Sequence, residues 1–124
     1  HAAGVEVSFN ASSARFTHMF TQYAGNLVAL TRVPGATGLE WADALASISS
    51  GPANALGLGD EMGILKPGAV GDLVIWDGDP LEISSAPTRV FIDGREVPLE
   101  SHQTRLRERY RNLDESQRPK GYDR

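Results

Sequence analysis

The spacing of apolar residues changes at Met62, and no single regular element satisfies both patterns. Upstream, Phe16, Met19, Phe20, Tyr23, Ala24, Leu27, Val28 and Leu30 recur as one face of a helix. Downstream, apolar residues come in short runs punctuated by Gly, Pro and Asp, as β segments joined by turns do. A chain with this order folds as an α/β half followed by a β half, and as an α+β unit if taken by itself.

Individual elements follow from local chemistry. Val5, Val7 and Phe9 alternate with Glu6 and Ser8, which predicts a strand over residues 4–9. The short polar residues Asn10, Ser12 and Ser13 break it and suit the cap of a helix over about residues 14–31. A second helix opens near Gly38 with Leu39, Ala42, Leu45 and Ile48 on one side, and Ser50-Gly51-Pro52 is expected to stop it. Pro52–Leu56 reads as a short helix ended by Gly57.

In the second half, Gly63-Ile64-Leu65 and residues 71–76 read as strands around a Lys66-Pro67-Gly68 turn. The run Leu73-Val74-Ile75-Trp76 predicts a strand covered on both faces. Asp93-Gly94 between Val90-Phe91-Ile92 and Arg95-Glu96-Val97 predicts a two-residue type I′ hairpin. Residues 101–113 read as a helix with Ser101 as its cap, followed by a polar tail.

Charge is unevenly placed. Residues 1–100 carry a net −7 and residues 101–124 a net +3. An acidic body argues against nucleic acid as a partner, because phosphate binding needs a concentrated positive face. Arg105, Arg107, Arg109 and Arg111 fall at every second position, which spreads them around a helix. The absence of cysteine removes disulfides and thiolate chemistry and leaves the compartment open. No apolar run has the length of a membrane span, so no membrane is expected as a partner. The chain starts on a strand-like pattern without Met and reads as a piece of something longer.

Asn10, Ser13 and Arg15 are candidate substrate-binding residues, with Arg15 suited to a substrate carboxylate, although a strand-to-helix junction needs short polar residues anyway. Asp72, Asp77, Asp79 and Asp93 tempt a cation reading. Their neighbours Gly71, Gly78, Pro80 and Gly94 make turn chemistry the better account. The three histidines, His1, His18 and His102, are far apart, and hydrolytic metal sites need several converging ligands. No metal ligand is assigned within the chain.

Three segments in this order, Trp41–Leu58, Met62–Leu81 and Val90–Arg95, carry a resemblance to the C-terminal end of the metal-dependent amidohydrolases, especially their imidazolonepropionase-like members. It extends more loosely through Gly4–Ala29 and Leu99–Arg111. The resemblance implies the last strand and helices of a (β/α)8 barrel over residues 1–61, part of a small β-sandwich over 62–98, and a C-terminal helix and tail over 99–124. Leu73, Ile75, Val90 and Ile92 would be buried in that sandwich.

It also implies a hydrolase acting on C–N bonds of amide-type substrates through metal-activated water. Zinc or another divalent metal would be held by earlier segments of the parent, with this piece inactive alone. Family members carry a metal-binding Asp after the last barrel strand, and Ser12 stands at that position here. Serine is a poor ligand and no base near neutral pH, so either the register shifts or the acid is absent. The implied partners are the missing N-terminal part and a small amide substrate. Alternatives are a non-catalytic α+β module that self-associates through open strand edges, or an inactive relative of the family.

Overall fold

The structure, a computed structural model, describes residues 3–10 and 14–111. Its order is a 3-10 helix (Ala14–Met19), α1 (Phe20–Leu30), α2 (Trp41–Ala46), α3 (Ser50–Ala55), β1 (Leu73–Trp76), β2 (Pro87–Ile92), β3 (Arg95–Val97) and α4 (His102–Arg111). The three strands form one antiparallel sheet in the order β1-β2-β3. Helices precede the sheet and one follows it, the segregated α+β arrangement that the change at Met62 anticipates.

The core sits among the helices. Ala24 of α1, Leu39, Ala44 of α2 and Leu81 are buried together, with Phe9, Leu27, Val28, Leu45 and Ile48 packed around them. Small residues let the backbones close up. A Cβ on Gly25 would run into the carbonyl oxygen of Leu81, and one on Gly38 would lie 2.6 Å from Thr31 N. The chain therefore crosses back over α1 at Gly38, where Leu39 N–H donates to Leu27 O at 3.1 Å. Leu81 brings the segment between β1 and β2 into the same core as the helices.

Several expected boundaries are corrected. Residues 5–10 take up no regular secondary structure and pair with no strand among the described residues; Phe9 N–H donating to Ser47 O at 3.1 Å is their backbone link to the helices. Alternation makes a segment fit for a strand, but a strand exists only against a neighbour. The helix expected over 14–31 begins as a 3-10 helix, and α1 starts at Phe20, with Met19 as its N-cap residue making no side-chain cap bond. The helix from Gly38 is shorter, and Leu39 and Ile48 flank it. Ser47 Oγ donates to Ala44 O at 2.6 Å and Ser49 Oγ to Leu45 O at 2.7 Å, so hydroxyls compete for the carbonyls that continuation would use.

Ser50-Gly51-Pro52 starts α3 instead of only ending α2. Proline is harmless there because first-turn N–H groups have no intrahelical acceptor. Gly57, at φ 74°, ends this helix as expected. Leu58 N–H reaches Ala53 O at 2.8 Å and Gly57 N–H reaches Asn54 O at 2.9 Å, a Schellman closure.

Gly63-Ile64-Leu65 forms no strand, and β1 begins at Leu73. The Asp93-Gly94 turn is as anticipated, with φ 51° and 71° and Ile92 paired to Arg95. Leu73 pairs with Phe91 and Val74 with Val90. Leu73, Ile75 and Phe91 therefore share one face, and Val74, Val90 and Ile92 the other. The expected buried set of Leu73, Ile75, Val90 and Ile92 is split between faces. Nor is β1 covered on both sides, since Val74 is 43% and Ile75 42% exposed, and Ile92 is 56% exposed. A three-stranded sheet without a second layer over each face among the described residues cannot bury both faces.

Ser101 caps α4: its Oγ accepts Thr104 N–H at 3.1 Å while Thr104 Oγ1 accepts Ser101 N–H at 2.8 Å. Leu113 and the polar tail lie outside the described residues.

Candidate functional site

Two of the residues singled out from the sequence, Asn10 and Arg15, lie on either side of one junction, between the N-terminal segment and the 3-10 helix. Phe9 anchors its start: the ring stacks on Phe20 at 6.0 Å and on Tyr23 at 6.3 Å, both at 29°. Asn10 follows it and is exposed. Arg15 lies in the 3-10 helix. Ser12 and Ser13 lie outside the described residues, so the structure brings together Asn10 and Arg15 only as neighbours along the chain. His18 closes the same 3-10 helix on the surface, and His102 opens α4, also exposed; His1 lies outside the described residues.

The four aspartates perform turn chemistry. Asp72 Oδ1 accepts Asp93 N–H at 2.8 Å, and Gly94 N–H donates to Gly71 O at 2.9 Å, so the hairpin tip is stapled to the entry of β1. Asp77 Oδ1 accepts Ala86 N–H at 2.7 Å. Asp79 Oδ1 accepts Leu81 N–H at 2.9 Å, an Asx turn ahead of the buried Leu81. Asp93 occupies the left-handed region in the turn itself. Among the described residues, no three His, Cys, Asp or Glu side chains converge on a point that would hold a metal ion. Asp72, Asp77 and Asp79 are thus occupied with backbone N–H groups of turns rather than gathered as a ligand set.

Two long-range contacts have no local signal in the sequence. Trp41 Nε1 donates to both oxygens of Asp79, at 3.0 and 2.8 Å, beside a hollow of about 300 Å³ lined by Arg32, Glu82, Gln22 and Asn26. Asn54 Nδ2 donates to Glu6 Oε1 at 3.3 Å, tying α3 to the N-terminal segment. On the sheet, Arg89 grips Glu96 with two bonds, Nε to Oε1 at 2.9 Å and Nη2 to Oε2 at 2.7 Å, while its guanidinium lies 4.8 Å from the Phe91 ring centre. The hydrogen bond to Arg89 holds the Glu96 carboxyl below its ordinary range, and the same contact raises Arg89.

Residues 8–98 match the model of the amidohydrolase family. The chain belongs to that family. Amidohydrolase tasK of Hapsidospora irregularis is 47% identical over 57 residues, which cover 46% of this chain and 6% of tasK. A crystal structure of an amidohydrolase from Thermotoga maritima MSB8 aligns with a TM-score of 0.53 and 38% identity over 64% of this chain. The alignment spans 19% of the Thermotoga chain, so this amidohydrolase segment corresponds to a small part of either relative. No helix among its described residues is long and apolar enough to cross a membrane.

Proposed function

We propose that this chain is the C-terminal portion of an amidohydrolase that hydrolyses C–N bonds of small amide, cyclic amide or peptide-like substrates with metal-activated water, imidazolonepropionase-like in its general plan. The family match over residues 8–98 carries the reading. The zinc or other divalent ion belongs to parts of the parent beyond this segment, since the described residues offer it no ligand set. Residues 1–61 would end the barrel, with residues 4–9 as its last strand; 62–98 would supply sandwich strands and 99–124 the closing helix and tail. Val5, Val7, Val74 and Ile75 are exposed here, and a larger assembly that covers them gives those apolar side chains a reason.

In that parent Asn10, Ser13 and Arg15 would line the site mouth, and Ser12 would leave proton abstraction to another group. The partner of this segment is then the N-terminal part of the same enzyme, or a second copy that pairs with the open edge of β1.

An antibody raised against residues 99–124, used on extracts of the source, tests the first premise. A band several times heavier than these 124 residues is expected, and that purified species should release amine or ammonia from amide substrates only when metal-loaded. A band at the mass of the segment alone, or a heavy species inert toward amides in the presence of zinc, overturns the reading.

A further inference from the structure

The chain contains two Asp-Gly dipeptides, Asp77-Gly78 and Asp93-Gly94, both in exposed turns. Among Asp-Xaa dipeptides Asp-Gly is the most open to succinimide chemistry, because glycine puts no side chain in the way of its own amide nitrogen. The two turns treat that nitrogen in opposite ways. Gly94 N–H is held on Gly71 O at 2.9 Å, and the Asp93 N–H is held on Asp72 Oδ1 at 2.8 Å. Gly78 N–H makes no hydrogen bond to another described residue. The Asp77 carboxyl beside it accepts Ala86 N–H at 2.7 Å, which draws electron density from Cγ and makes that carbon the better electrophile.

We infer that Asp77-Gly78 is a site of spontaneous covalent modification to isoaspartate, and that the structure shields Asp93-Gly94 from the same reaction. The Gly78 nitrogen attacks Asp77 Cγ. A C–N bond forms, a Cγ–O bond breaks, and one water leaves with the amide proton and a solvent proton. Water then adds back to the ring. Attack at Cγ restores aspartate; attack at the main-chain carbonyl breaks its bond to Gly78 nitrogen and leaves the chain running through the side-chain carbon. No atoms are gained or lost overall, and one extra carbon enters the backbone two residues before Asp79, the acceptor of Trp41.

The test is incubation of the full chain in neutral buffer at 37 °C, followed by peptide mapping with electron-transfer fragmentation, which distinguishes isoaspartate from aspartate. Isoaspartate is expected to accumulate at position 77 in clear excess over position 93. In concentrated urea, where Gly71 no longer holds Gly94, the two sites should become comparable. Equal or greater isoaspartate at 93 in the native chain, or the same ratio in buffer and in urea, overturns the inference. Asp77→Glu should abolish the signal at 77 while leaving that at 93 unchanged.

Discussion

The indole N–H of Trp41 sits between the two carboxylate oxygens of Asp79, 38 residues further along the chain, and joins the start of α2 to the turn that buries Leu81. One oxygen of Asp79 also accepts Leu81 N–H. Beside the burial of Leu81, this carboxylate is a polar link between the β half and the helical core. Asp79→Ala removes a charged acceptor from two donors and should cost about 1–2 kcal/mol in urea unfolding, with Asp79→Asn losing less because it keeps one acceptor oxygen. Trp41 fluorescence should change in both variants. A midpoint unchanged in Asp79→Ala would show that the clamp adds nothing to stability.

Gly25 and Gly35 separate two reasons for glycine. A Cβ at Gly25 meets the Leu81 carbonyl, a backbone group that moves only if the core moves. Gly35 has φ 78° and nothing within 4 Å. Gly25→Ala should cost about 3 kcal/mol through overpacking. Gly35→Ala should cost about 1 kcal/mol through left-handed strain. Chemical denaturation of both variants reads the order directly, and the reverse order would refute the packing argument.

Ser101 should matter to α4 and little to the rest. The helix buries no residue, so the reciprocal Ser101 and Thr104 bonds are a main support of its first turn. Ser101→Ala should cost about 1 kcal/mol of helix stability. The expected readout is lower helicity by circular dichroism with an unchanged unfolding midpoint.

The Arg89–Glu96 pair predicts an acid dependence. In the folded chain the hydrogen bond from Arg89 holds the Glu96 carboxyl below its ordinary value of 4.5. A depressed folded value gives a contribution present above 4.5 and lost as pH falls through the lower folded value. Both side chains are half exposed, so salt should weaken the effect. Glu96→Gln should flatten the acid limb of thermal stability below pH 4.5 at low salt, and an unaltered limb would show that the pair is neutral.

Features closed within a few residues were legible in the sequence. The Asp93-Gly94 turn, the Gly57 helix end and the Ser101 cap each depend on backbone angles and bonds spanning two to five positions. Asn10 was recognisable as the polar end of an apolar segment for the same reason.

Tertiary structure decided whatever needed a partner. The alternation of Val5, Val7 and Phe9 describes a surface suited to pairing, but pairing requires a neighbouring strand, and residues 5–10 have Ser47 O instead. The faces of Leu73 and Val90 depended on register, because a one-residue slip exchanges the two sides of a strand; Val74 opposite Val90 settled it. The Trp41–Asp79 clamp joins residues whose separation carries no periodic signal, and it sits two residues from Leu81, on whose carbonyl α1 closes at Gly25. Local chemistry thus wrote the turns and caps of this amidohydrolase segment, while close approach of distant backbones chose its contacts.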